Sequence, residues 1–332
     1  MLALHGSNGP SCCKTTDKFL AGYRIDQWYR PPPLVSPAMV LFTWIGNRTD
    51  IIIFVNTDYN SSFTSAEDEL KEMAMKPEKS YIIWFRQRTG STLLCKFLEG
   101  THRAGHPGEW LGEYYLNHDL FSLHNCRDLI ELQNKFWSTG TTSNGVLGIK
   151  IGFVDNHLKE MLSNFRKSIG DHRSTDYQLW ELLFPKCRHI YMTRRNKIRL
   201  AVSWWKAIQT NQWHRLINEK SKSEMPEEEL DKKYNFDAIN HLMLEAVLSE
   251  AGMQEFFRQN NIRPLTIIYE DFINDFENTV KNILDFLAVD QSGLSIGKPY
   301  YGRLADDLSE KWSKRFAEEL QHSWPNKGWV TT

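Results

Sequence analysis

Four short apolar runs recur along the chain from Lys79 onward: Tyr81–Phe85, Val146–Ile151, Arg188–Met192 and Leu265–Tyr269, each bounded by turn-forming or charged residues. Between them lie longer stretches with helical spacing, at residues 128–137, 156–165, 198–208, 238–257 and 276–287. Apolar runs of this length are buried strands, and a strand followed by a helix and another strand returns the chain parallel to itself. The expected fold is therefore α/β: a P-loop-like three-layer sandwich, a parallel sheet with helices on both faces. Ligands of such sheets gather at the carboxyl ends of the strands, so the residues that follow each run carry the chemistry.

After the first run comes Arg88-Thr89-Gly90-Ser91-Thr92, a small-residue turn into a helix. Gly90 allows a tight turn, and the N–H groups of Gly90, Ser91 and Thr92 are then available at a helix N-terminus, where the dipole and unpaired donors favour an anion. Arg88 adds a fixed charge with bidentate reach. The bland alternative is a helix start capped by its own Ser or Thr. The lysine of G-x-x-x-x-G-K-[ST] is missing, which disfavours an ordinary ATP or GTP site. A second junction repeats the theme: the third run leads into Arg194, then a helix bearing Ser203, Trp204, Trp205 and Lys206. Arg194 and Ser203 converging at the same crevice could hold a second phosphate, although a basic turn alone is usually just solvated.

Composition narrows the function classes. Of 332 residues, 41% are hydrophobic and 13% aromatic, enough for a core, and the net charge of -1 gives no global field favouring nucleic acid. Leu34–Val55 is the one membrane candidate, and Gly46–Asp50 interrupts it below the ~20 apolar residues of a spanning helix. The expectation is a soluble, cytoplasmic protein without membrane insertion. Its five cysteines are unevenly spaced, with no partner set for zinc, and fit a reducing compartment and no metal. Residues 1–76 carry no recognisable motif and read as an N-terminal extension whose order is left open; the charged run at 220–234 reads as a solvated loop or helix edge.

Five collinear blocks, QRTGSTLL (87–94), AGHPGEW (104–110), GIK (148–150), RRNKIRLAVSWWKAIQTNQW (194–213) and RLADDLSEKW (303–312), resemble the Stf0 family of sulfotransferases, whose best-known activity is sulfation of trehalose. The resemblance spans about residues 80–320 and makes 77–325 the expected sulfotransferase domain. It implies 3'-phosphoadenosine 5'-phosphosulfate (PAPS) as donor with no metal, which accounts for the missing lysine. Arg88, Thr89, Gly90, Ser91 and Thr92 would hold the phosphosulfate, Arg194 and Ser203 the 3'-phosphate, and Arg303, in a Gly-containing loop with Lys298, would contact PAPS or the acceptor.

The resemblance also implies roles in catalysis. Arg88 and Lys150 would stabilise charge on the transferring group, and Glu109 would be the general base, a task suited to a partly desolvated carboxylate. His106 stands where the family pattern has a glutamate. It could act as base or acceptor contact, or be a solvent-facing loop histidine. That departure puts the trehalose assignment in question. Trp110, Tyr114, Tyr115, Trp204, Trp205 and Trp213 are aromatic candidates for the acceptor, of which no more than half are expected in a pocket. The acceptor is then a hydroxyl on a carbohydrate or other small molecule, and a homodimer is compatible with the chain. Rival readings are a phosphotransferase, an N-sulfotransferase on a non-sugar metabolite, and a nucleotide-binding protein without catalysis.

Overall fold

The computed structural model describes residues 40–45, 48–53, 76–111, 120–153, 155–170, 173–213, 225–297 and 306–322. The chain divides into two units, residues 1–65 and 66–332. Within the first, β1 (Val40–Ile45) and β2 (Arg48–Ile53) pair antiparallel, from Val40 opposite Ile53 to Ile45 opposite Arg48. Residues 40–45 and 48–53 of the interrupted apolar segment are thus paired strands; the rest of 1–75 lies outside the described residues. Among the described residues no helix is long and apolar enough to cross a membrane.

In the second unit the order is β3 (Lys79–Phe85), α1 (Ser91–Gly100), α2 (Leu120–Leu123), α3 (Leu129–Gly140), β4 (Val146–Gly152), α4 (Asp155–Ile169), α5 (Asp176–Leu183), β5 (Cys187–Thr193), α6 (Lys197–Thr210), α7 (Glu227–Asp231), α8 (Phe236–Gln259), β6 (Leu265–Ile268), α9 (Tyr269–Asn274), α10 (Phe276–Phe286) and α11 (Asp307–Leu320). The four expected strands form one sheet in the order β4-β3-β5-β6, every neighbouring pair parallel.

Because strand side chains alternate faces, β3 feeds two cores. Ile82 and Trp84 join Leu147, Ile149 and Ile151 of β4 beneath α3, α4, α5 and the end of α8. Tyr81, Ile83 and Phe85 join Ile190 and Met192 of β5 and Ile267 of β6 beneath α1, α9 and α10. Helices therefore cover both faces, as expected. A third cluster packs α6 and α8 against α11, with Trp205, Leu230 and Trp312 buried in it. The charged run at 220–234 is more than a solvated edge in its described part: Leu230 is buried, and Asp231 accepts from Trp312 Nε1 at 2.9 Å.

Trp84 is fully buried at the centre of the first core, with Phe256 at 5.2 Å, Trp180 and Phe257 at 5.9 Å and His189 stacked at 6.0 Å between ring centroids. Such ring pairs add about 0.5–1.5 kcal/mol each beyond area burial. Trp84 Nε1 donates to His189 Nδ1 at 2.9 Å, which places the imidazole proton on Nε2. Burial pushes the His189 pKa down to about 4. A folded-state value below the unfolded one means the contribution is fully present above about pH 6.5 and is lost as pH falls toward 4. Urea unfolding at pH 7 and pH 4 should show a loss on the order of 3 kcal/mol from this group. The His189→Asn variant should lack that part of the slope; identical pH profiles for the two proteins would rule the assignment out.

Candidate active site

The two-residue period of the strands sets the site. Lys150 of β4 shares the α1 side of the sheet with Phe85 of β3, and the Lys150 ammonium lies 4.9 Å from the Phe85 ring centroid. Continuing the alternation past the strand ends puts Arg194 after Met192 and Tyr269 after Ile267 on the same side. All four strands thus present chemistry from their carboxyl ends.

The turn after β3 is held in a left-handed conformation at both Arg88 (φ 67°) and Gly90 (φ 85°). A Cβ at Gly90 would stand 2.7 Å from Tyr269 Cδ2, so both the backbone angle and the neighbouring ring require glycine. Thr89 is fully buried and turned inward, its hydroxyl donating to the Arg86 carbonyl at 2.7 Å; its part is to shape the loop. The bland reading of a Ser/Thr-capped helix does not hold, because Gly90 is the N-cap of α1 and no side chain caps it. Elsewhere Asp128, Thr175, Asn196, Asn235 and Asp306 cap α3, α5, α6, α8 and α11 with side-chain oxygens. The first-turn N–H groups of α1, at Ser91 and Thr92, are thus left for an outside acceptor.

The two basic junctions meet. Arg88 Nε donates to Ser203 Oγ at 3.0 Å and its NH1 to the Trp213 carbonyl at 2.5 Å, while Arg194 NH1 reaches the Arg88 carbonyl at 3.5 Å. Ser203 is therefore the partner of Arg88, where spacing alone pairs it with Arg194. Burial, and then the Arg194 guanidinium, pull Arg88 down to about 10, with Tyr269 opposing. Arg194 is buried, its guanidinium carbon 4.8 Å from the Tyr269 ring centroid and its Nε 3.7 Å from Glu270 Oε1.

On the other side of the loop, Gly108 bridges to Ile149 in parallel and its carbonyl accepts from Lys150 N at 2.9 Å. This bridge delivers Glu109, whose Oε2 lies 3.0 Å from Lys150 Nζ; the same ammonium donates to Thr92 Oγ1 at 3.1 Å. The Glu109 carboxylate is 40% exposed and ion-paired.

Other expected residues fall elsewhere. His106 faces Glu99 (Nδ1 to Oε1, 3.7 Å), which lies seven positions after Thr92, roughly 10 Å along α1. Trp110 stacks on Phe136 at 5.6 Å and fills the space left by Gly108 and Gly140, where added Cβ atoms would stand 2.2 Å and 2.3 Å from it. Trp205 is buried and donates to the Lys233 carbonyl at 2.8 Å, a packing role. Trp204 is half-buried, with the Arg86 guanidinium 5.0 Å over its ring. Arg303, Lys298, Tyr114 and Tyr115 lie outside the described residues.

Sequence reading passes over Tyr269, Glu270 and Arg86. The signal for Tyr269 is its place at the end of the last strand run; nothing local marks Arg86, which pairs with Glu245 Oε2 at 3.2 Å across the fold. Among the described residues, no group of three or more His, Cys, Asp or Glu side chains gathers as a metal site would.

An uncapped helix start after β3 and a buried arginine after β5 thus stand at the ends of adjacent parallel strands. A family model described as Stf0 sulphotransferase matches residues 80–319, and the chain belongs to that family. It is similar to the trehalose 2-sulfotransferases of Mycolicibacterium smegmatis (24% identity, 73% of this chain and 96% of the relative) and Mycobacterium tuberculosis (23%, 73% and 95%). Among solved structures, a sulfotransferase from Alicyclobacillus acidocaldarius aligns with 73% of this chain and 95% of its own at 13% identity and a TM-score of 0.39.

The Gly90→Ala variant should lose about 2–4 kcal/mol of stability, from the left-handed backbone and the Tyr269 overlap together. Urea unfolding measures it, and a loss under about 0.5 kcal/mol would contradict the close approach.

Proposed function

We propose that this protein transfers the sulfuryl group of PAPS to a hydroxyl of a carbohydrate or another small-molecule acceptor. The observation that carries this reading is the charge arrangement around the α1 N-terminus: Arg88 hydrogen-bonds neutral oxygens of Ser203 and Trp213, with Arg194 at its own carbonyl. Two neighbouring, largely buried guanidiniums beside uncapped N–H groups repel one another, and an anion between them relieves that cost.

The residues fit a bisphosphorylated donor. The Ser91 and Thr92 N–H groups with Arg88 would hold the 5' end, and Arg194 with Ser203 the 3'-phosphate. PAPS, when bound, supplies the sulfuryl group and leaves as adenosine 3',5'-bisphosphate. Lys150, tied to Thr92 and Glu109, would neutralise charge growing on the transferred group and the leaving phosphate. Glu109, oriented by Lys150, would take the proton of the acceptor hydroxyl. The two similar trehalose 2-sulfotransferases support a sugar acceptor, and the free thiols of Cys95, Cys126 and Cys187 agree with a reducing, cytoplasmic setting. In this reading residues 77–325 are the transferase domain and 1–76 precede it.

Calorimetry should show adenosine 3',5'-bisphosphate binding that is unchanged by Mg²⁺; a preference for ATP with Mg²⁺ would sink the proposal. Incubation with PAPS and trehalose, then with a metabolite extract, should yield a sulfated product by mass spectrometry. With the acceptor so found, Glu109→Gln should lower kcat about 10²–10⁴-fold while bisphosphate affinity stays the same. Near-normal turnover in that variant would remove Glu109 as the base.

A further inference from the structure

The carboxyl end of β6 brings two side chains to the site that the proposed reaction leaves without a part. The Tyr269 ring lies so close under Gly90 that an added Cβ there would stand 2.7 Å from Cδ2, and the same ring carries the Arg194 guanidinium at 4.8 Å. Next to it, Glu270 accepts from the Arg195 N–H at 3.0 Å and the Asn196 N–H at 3.3 Å, which fastens the turn that follows Arg194 to the start of α9. One aromatic ring thus touches both arms of the anion site: the loop after β3 and the arginine after β5.

The chemistry of that contact matters. A carboxylate holding a guanidinium head-on takes up N–H donors and cancels charge. A ring face attracts the guanidinium through its quadrupole, fixing the plane of the cation without consuming an N–H group or neutralising it. Arg194 on Tyr269 therefore loses rotamer freedom before any ligand arrives, its plane set by the ring. The Glu270 carboxylate at 3.7 Å from Nε is too far to act as a hydrogen-bonded fork and serves chiefly through the two backbone N–H groups.

We propose that Tyr269 is a positioning residue for the 3'-phosphate: its ring presets the Arg194 guanidinium and, by packing on Gly90, ties that arm to the loop that holds the 5' end. The inference rests on the reading of Arg194 as a 3'-phosphate contact.

The test compares adenosine 3',5'-bisphosphate with adenosine 5'-monophosphate, which lacks the 3' group, by calorimetry on the full chain. Wild type should favour the bisphosphate by about tenfold or more. Tyr269→Leu, which keeps bulk under Gly90 and removes the π face, should bring the ratio to within about threefold of unity and leave monophosphate affinity nearly unchanged. Tyr269→Phe should restore the wild-type ratio. If Leu lowers the melting temperature, Tyr269→Met refills the space with a flexible chain and gives the same readout. A parallel loss of both nucleotides, or an unchanged ratio in the Leu and Met variants, reduces Tyr269 to packing and overturns the proposal. A wild type that does not prefer the bisphosphate overturns the reading of Arg194 itself, and this inference with it.

Discussion

The contact between Gly90 and the ring of Tyr269 ties together parts of the molecule that are far apart in sequence. A backbone turn at φ 85° with a ring 2.7 Å from the missing Cβ leaves no room for any side chain. That turn makes α1 begin at Ser91 without a side-chain cap, so its first N–H groups are available. The ring in turn is held by the parallel pairing of β6 with β5 and of β5 with β3. The direction of the α1 N-terminus, the pose of Arg194 and the register of three strands are one coupled arrangement.

Charge around the site is handled differently from charge on the rest of the surface. Exposed pairs such as Lys281–Glu277 and Arg258–Glu255 are separated by one helical turn, are screened by solvent and contribute little. Close to the loop, Arg88 meets neutral hydroxyl and carbonyl oxygens, and Arg194 meets an aromatic ring, the Arg88 carbonyl and, at 3.7 Å, the Glu270 carboxylate. The ion pair of Lys150 with Glu109 sits at the boundary between these regimes, 11% exposed on the lysine side and 40% on the glutamate side. In the proposed reaction that asymmetry would suit a carboxylate that meets the acceptor hydroxyl and a lysine that stays with the loop.

Much of this was legible from residues alone. The strand runs at 81–85, 146–151, 188–192 and 265–269 differ from the observed strands by no more than two residues at either end, because short apolar runs between turn residues have few other ways to bury themselves. The glycine turn of 87–92 and the arginine after β5 were also visible, since strand ends of a parallel sheet are where such residues matter. His106, Trp110 and Trp205 show where local reading stops. Each sits in a promising motif, yet His106 faces Glu99, Trp110 fills a gap between two glycines and Trp205 packs against α11's cluster. A motif names neighbours along the chain, while the direction of a side chain depends on what packs across from it.

By itself, then, the order of residues determined an α/β sheet, a glycine turn after the first strand that lacks a nucleotide-binding lysine, and the family to which the chain belongs. Tertiary structure decided which groups meet: Arg88 with Ser203, Lys150 with Glu109 and Thr92, and Tyr269 with both Gly90 and Arg194. The physical reason is range. Strand and helix patterns arise from neighbours a few positions apart, whereas Gly90 and Tyr269 are 179 positions apart and come together only when the sheet has set its strand order and register.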